Sequence, residues 1–473
     1  MKQLALLPLF ASFFSFGSTF QCEDEFEWLK TTFENNDAGF HYTVLQKGDD
    51  LYAAHNKATS TLLQSAKDEE QCHTVLRDWL SFFRKGHIGL SLNASRSNEA
   101  VRESAVHDFD LPAFKQYLKS KSDESLEGIW RFSSYTVALK KEGNVHNGYI
   151  IESANPSWKV GQVKLVIHET EDNSNPKVTF FMGDHSARQI DTMTFLGNNE
   201  VVLGNSFIVM SRQAPRQESS PEIKRYLRML STDEPLFEKI SQDTVLVRIP
   251  SFEHVFKKDI DEVIAKNLDT ILSTENLIID IRGNGGGSDV SYASLIPLLY
   301  TNPIRTVGME YLSTELNNKR MLGFLQNPHF SEEEKRWAKE GYDTLQKHIG
   351  SYINIDKDVT VETFNKIEPL PKHVGVLVDA SNGSTAEQFL LAAKQSKKVK
   401  LFGQTTAGVL DISNMYQTDS PSSVFTLHYS LTKSLRIPHM AIDGVGIQPD
   451  YYLDSKIPLY DWISHTQSIM EGM

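Results

Sequence analysis

The chain has 473 residues, 40% of them hydrophobic and 23% charged, which are the proportions of a globular protein with room for more than one domain. A formal net charge of −13 argues against nucleic acid or an anionic membrane surface as its main partner. No internal repeat or low-complexity run is present, and beyond the N-terminal segment no apolar stretch is long enough to span a bilayer.

In chain order, Met1-Lys2-Gln3, an apolar run from Leu4 to Phe16 and then Gly17-Ser18-Thr19 predict a cleaved signal peptide over residues 1–21, and hence export. An oxidising compartment would let Cys22 and Cys72 pair as a disulfide, two free thiols being the alternative. No Cys/His cluster surrounds either cysteine, so no metal is expected. From Glu23 to Phe83 apolar residues recur at helical spacing, as in Phe26, Leu29 and Phe33, then Leu76, Leu80 and Phe83. This predicts an N-terminal helical domain over 22–115, carrying His87. From about Leu126 to Arg212 the pattern alternates, with Val163, Leu165 and Ile167 against Lys164 and His168. Turn signals fall at Gly143-Asn144, Asn155-Pro156 and Gly197-Asn198. Six or so strands are expected there, as a β-barrel or sandwich-like domain over 120–215. Trp130, Trp158, Phe180 and Phe181 are read as core filling rather than as the lining of a ligand cavity.

A further core over 220–473 opens with the strand Val245–Ile249. The apolar run Leu277–Ile281 is a second buried strand, leading through Arg282 into Gly283-Asn284-Gly285-Gly286-Gly287 and a helical pattern from Val290 to Leu299. Glycines there let the backbone turn sharply and present N–H groups to an anion, either a phosphate or an acyl-transfer oxyanion. Neither Gly-Lys-Ser/Thr nor a spaced G-x-G-x-x-G completes a phosphate loop. At about 311–368 lies a polar, mostly helical insertion with a capping box at Ser331 and Glu334, expected to act as a lid. The strand Val374–Val378 then passes through Asp379–Gly383 to a helix starting at Ser384-Thr385-Ala386-Glu387. A serine at a strand-to-helix turn is where hydrolases place an attacking hydroxyl, with the next N–H as an oxyanion donor. The same Ser384-x-x-Glu387 spacing also spells a capping box. Asn382-Gly383-Ser384 and Asn93-Ala94-Ser95 are glycosylation sequons. A sugar on the first would block a catalytic serine, which favours a bacterial periplasm over a eukaryotic secretory route.

The segments IIDIRGNGGGSD, VGVLVDASNGSTAEQFLLAAKQSKKVKLFG and GVGIQPD resemble the core of the tail-specific and tricorn-type serine peptidases, over about Asp243 to Tyr452. The resemblance implies an α/β core similar to the crotonase and Clp-protease ββα spiral, α+β overall once the helical and antiparallel β domains are added. It implies Ser384 as nucleophile, with an oxyanion hole of Thr385 N–H and that of Gly285 or Gly286. The tail-specific branch carries a lysine base in a Gly-Lys-Gly turn, but here that turn reads Ala407-Gly408-Val409-Leu410, and valine takes no proton. The branch similar to the tricorn core and interphotoreceptor retinoid-binding proteins uses an upstream Gly-His, which is Gly86-His87 here. Histidine suits the task because its pKa sits near neutrality; His439 is the rival. The carboxylate that orients the imidazole carries over to Asp443, one methylene shorter than the family's Glu, with Glu387 as the other possible orienter. No peptide-tail-binding PDZ pattern is seen.

The expected function is therefore that of an exported serine endopeptidase or oligopeptidase, periplasmic or secreted, acting on peptides or unfolded proteins with no metal or organic cofactor. The alternatives are a catalytically silent binder of peptides or hydrophobic ligands, and an enolate-stabilising enzyme that would leave Ser384 unexplained.

Overall fold

The computed structural model describes residues 20–93, 105–121, 125–169, 176–204, 208–328 and 330–473. The expected signal peptide falls almost wholly outside these residues, as do Ala94 and Ser95 of one sequon. The chain divides into two compact units, each discontinuous in sequence: Met1–Arg96, Thr306–Thr360 and Val409–Val445 form the first, and Ser97–Arg305, Val361–Gly408 and Gly446–Met473 the second. The helix Leu111–Leu118 thus belongs with the second unit, and most of the insertion at 311–368 with the first.

In the first unit the predicted periodicity resolves into the helices Cys22–Asn36, Phe40–Lys47, Asp49–Leu63 and Glu69–Ser81. Asp68 caps the last of these, accepting from Gln71 N at 2.8 Å. Their apolar faces, with Leu29, Phe33, Leu76 and Trp79 fully buried, pack on Phe425, Leu427, Tyr429 and Leu431 of the long strand Phe425–Ser434. That strand is central because it pairs antiparallel with Gly89–Leu92, Met309–Leu312 and Ile412–Asp419. Burial of this many aliphatic and aromatic side chains, each worth roughly 1.5–3 kcal/mol, holds the layers together. Cys22 and Cys72 form a disulfide that ties the first helix to the fourth. The insertion contributes the helices Lys319–Gln326 and Glu332–Leu345, the second opened by the reciprocal Ser331–Glu334 capping box.

Among the described residues the second unit holds two large sheets. Among its described residues, the stretch expected to give about six strands gives nine, Gly128–Phe132 to Ile208–Ala214, all in one antiparallel sheet. Trp130 and Trp158 are buried in its core and donate to Leu126 O and Gly183 O, so both indole N–H groups are satisfied within the fold. The other sheet has six strands in the order Leu236–Lys239, Thr244–Arg248, Asn276–Asp280, His373–Val378, Val399–Gly403 and Tyr451–Tyr452. All neighbours but the first pair run parallel. The three strands Thr244–Arg248, Asn276–Asp280 and His373–Val378 are almost entirely buried, which explains their unbroken apolar runs. Parallel neighbours need crossovers, supplied by the helices Lys257–Ile271 and Thr385–Ala393. The helix expected from Val290 to Leu299 is instead a 3-10 turn, Asp289–Tyr292, and a single helical turn, Ile296–Leu299. Pro297 fits the first turn of that short helix, where no N–H is needed.

Among the described residues no helix is long and apolar enough to cross a membrane.

Candidate active site

Two neighbouring parallel strands, Asn276–Asp280 and His373–Val378, deliver two loops to the same end of the sheet. The first loop turns through Gly283, Gly286 and Gly287 at φ 75°, 107° and 144°. The demand for glycine is sharpest at Gly286, where a Cβ would stand 2.8 Å from each of Gly383 O, Ser384 Cβ and Thr385 N. The glycine loop therefore lies backbone-to-backbone against the serine turn. Asn284, fully buried, donates to Ile249 O at 3.1 Å and accepts from Gly286 N at 2.9 Å. That bond occupies the Gly286 amide. The amides of Gly285 and Thr385 make no backbone hydrogen bond among the described residues, and Gly285 is exposed.

Ser384 has φ 55° and ψ −127°, a conformation that costs an L-residue on the order of 1–3 kcal/mol. Its side chain makes no capping bond to the helix Thr385–Ala393. The capping-box reading of Ser384 and Glu387 is thus replaced by a strained elbow that leaves the hydroxyl at the positive helix end. Glu387, fully buried, reaches instead to Thr406 Oγ1 and to Gly408 N, the latter at 2.8 Å, while Thr406 Oγ1 accepts from Ile447 N at 2.7 Å. Within the serine turn Asn382 is fully buried, donating to Ile281 O and Asn284 O and accepting from Asp379 N. Asp379 adds a third tie, accepting from Gly283 N at 3.0 Å. Asn382 is thereby closed to glycosylation in the folded protein.

In the first unit, His87 lies between the helix Glu69–Ser81 and the strand Gly89–Leu92, at φ 53°. Its carbonyl accepts from Arg84 Nη2 at 2.8 Å and from Ser430 Oγ at 2.9 Å, and Arg84 is itself paired with buried Asp37. Gly86 before it leaves room for Val409, whose Cγ1 would stand 2.4 Å from a Cβ there. His87 Nδ1 is 2.8 Å from Ile412 O. A carbonyl only accepts, so Nδ1 carries the proton and Nε2 holds the basic lone pair. Burial pushes the imidazole pKa down, and the charge of Arg84 adds to this.

Asp443 does not bond to His87 among the described residues. Its carboxylate accepts from Leu410 N and Asp411 N, both at 2.6 Å, and from Ile412 N at 3.2 Å. The group facing the imidazole is therefore the Ile412 carbonyl, and Asp443 holds the segment that carries it. Burial pushes the Asp443 carboxyl up to about 6, with the charge of Asp411 adding to the shift against the three amide bonds. His439 is exposed.

Ser384, Thr385, Gly285, Gly286 and Glu387 are thus gathered in one unit, and His87 and Asp443 in the other. Sequence reasoning missed Asn284, Asp379, Thr406, Asp411 and Ile412. Nothing in their spacing marks them, since each acts through a buried bond to distant backbone or side chain. Asn382 was visible only as a sequon.

A parallel-sheet core that sets a strained serine elbow against a glycine loop defines a serine peptidase. Residues 243–453 match the family model described as Peptidase family S41. The matched stretch contains both loops and Asp443 but not His87. Among solved structures, mature CPAF complexed with lactacystin is similar at TM-score 0.51 and 13% identity, covering 95% of this chain and 98% of that one. Mature CPAF alone gives the same TM-score of 0.51 and 13% identity, over 95% and 97%. A putative peptidase from Parabacteroides merdae ATCC 43184 is 13% identical with a TM-score of 0.43, over 96% and 97%. No curated protein matches the chain.

Proposed function

We propose that the protein is an exported serine endopeptidase or oligopeptidase acting on peptides or unfolded proteins. In this reading Ser384 Oγ attacks the peptide carbonyl carbon while His87 Nε2 takes its proton. The N–H groups of Thr385 and Gly285 hold the oxyanion, each worth about 3 kcal/mol. The C–N bond then breaks, His87 returns the proton to the leaving amine, and water hydrolyses the acyl-enzyme by the same route. Asp443 completes the triad at one remove, through the Ile412 carbonyl. The segment 311–368 is the proposed lid. The observation that carries the reading is Ser384 itself, held at φ 55° with no capping bond and the Gly286 backbone packed against it. Export is supported by the apolar N-terminal run and by the Cys22–Cys72 disulfide.

The test is labelling of the signal-cleaved protein with a fluorophosphonate probe, the adduct being mapped by mass spectrometry. Labelling at Ser384 that is lost in Ser384→Ala and falls sharply in His87→Ala is the expected result. A folded, monodisperse protein that takes no label would point to a silent binder on the same fold.

A further inference from the structure

Asp411 lies outside every motif of the chain, yet it is fully buried beside the groups that hold His87. Its carboxylate accepts from Arg436 Nε at 2.7 Å through one oxygen, and through the other from Ile442 N and from Asp443 N, the latter at 2.9 Å. Asp443 returns the arrangement, accepting from the amides of Leu410, Asp411 and Ile412. Each aspartate thus binds the backbone that bears the other. The two segments are locked face to face, and Arg436, itself buried, supplies the counter-charge. The peptide that leaves this clasp ends in the Ile412 carbonyl, which receives His87 Nδ1–H.

We propose that Asp411 is a positioning residue: with Asp443 it forms a reciprocal clasp that fixes the Ile412 carbonyl, and through it the tautomer and orientation of His87. The proposal rests on the reading of His87 as the general base and says what replaces the direct carboxylate contact of a Ser-His-Asp triad. A carbonyl can orient an imidazole as a carboxylate does, but only if its own peptide cannot swing. A single loop residue such as Ile412 has no such rigidity alone; five amide-to-carboxylate bonds provide it.

The experiment compares the wild type with Asp411→Asn, Asp443→Asn and the double variant, using protein labelled with 15N-histidine. In Asp411→Asn the new amide NH2 must face either Arg436, which loses the ion pair, or the Ile442 and Asp443 amides, which opens the clasp. Expected are a fall of about 10- to 100-fold in kcat with KM within about twofold, and a His87 15N spectrum in which Nδ1 is no longer the uniquely protonated nitrogen. Because the two aspartates act as one device, the double variant should lose little more than either single variant. Asp411→Asn removes the charge that faces Arg436, so Asp411→Asn with Arg436→Met, which removes the ion pair as a unit, decides the matter if the single variant does not fold. Wild-type kcat, or lost kcat with an unchanged His87 spectrum, would overturn the proposal. Full activity in His87→Ala would instead sink the reading of His87 as base, while the spectrum still reports on the clasp.

Discussion

Asn382 Nδ2 donates to the carbonyl of Ile281 at 2.6 Å, across 101 residues of sequence, and a second bond reaches Asn284 O at 3.0 Å. These bonds set the register between the serine turn and the glycine loop, and so the distance between the two proposed oxyanion donors. Asn382→Asp would aim a carboxylate at two carbonyl oxygens. The expected result is a loss of about a hundredfold in kcat, or about 2.7 kcal/mol of transition-state stabilisation, with a smaller change in KM. Steady-state kinetics on a peptide substrate checks this, and an unchanged kcat would show that the register is held without Asn382.

The two central glycines of the loop should respond differently to a methyl group. At Gly285 an added Cβ meets no atom within 4 Å, whereas at Gly286 it meets three backbone or Cβ atoms at 2.8 Å from a left-handed φ. Gly286→Ala is expected to cost at least about 2 kcal/mol and to abolish measurable hydrolysis, because the serine turn must shift. Gly285→Ala should leave thermal stability within about 0.5 kcal/mol of the wild type. Melting curves of the two variants, with fluorophosphonate labelling rates, separate the cases; equal damage would contradict the observed packing.

The pH profile should carry two signatures of opposite sign. Burial lowers the His87 pKa below its ordinary 6.5, so the acid limb of kcat/KM is expected below that value. The unfolded chain protonates this histidine first, so its contribution to stability is lost as pH falls below 6.5. The Asp443 carboxyl rises from 3.8 to about 6 on folding, so its contribution is full below 3.8 and is lost as pH rises through 6. Denaturation at several pH values should therefore show the wild type losing ground to Asp443→Asn between 3.8 and 6. A difference that grows in the wild type's favour over that range would refute the assigned shift.

The disulfide closes a long loop, with Cys22 and Cys72 50 residues apart. Chain-entropy arguments put its contribution at about 4 kcal/mol, although strain and residual structure often reduce this. The Cys22→Ser/Cys72→Ser variant should melt about 4 °C lower than the oxidised protein. The melting point of the wild type should fall similarly under reductant, while that of the variant stays where it is.

The local elements were legible because they obey short-range rules. The helical periodicity of Phe26, Leu29 and Phe33, the apolar runs Val245–Ile249 and Val374–Val378, and the Ser331–Glu334 cap depend only on residues within a few positions. The glycine loop could be read too, since only glycine tolerates the φ of Gly286. At Ser384 the spacing allowed an elbow or a cap, and tertiary structure decided between them. Glu387 is drawn to Thr406 and Gly408, which sequence distance hides, and so does not return to its own helix start. The same holds for His87. Its Gly-His signature was visible, but the group that its Nδ1 bonds is the Ile412 backbone carbonyl, and a backbone carbonyl has no sequence letter. Which amide each aspartate binds, and which glycine N–H stays free, follows from how strands far apart in the chain come into register, and only the assembled fold sets that.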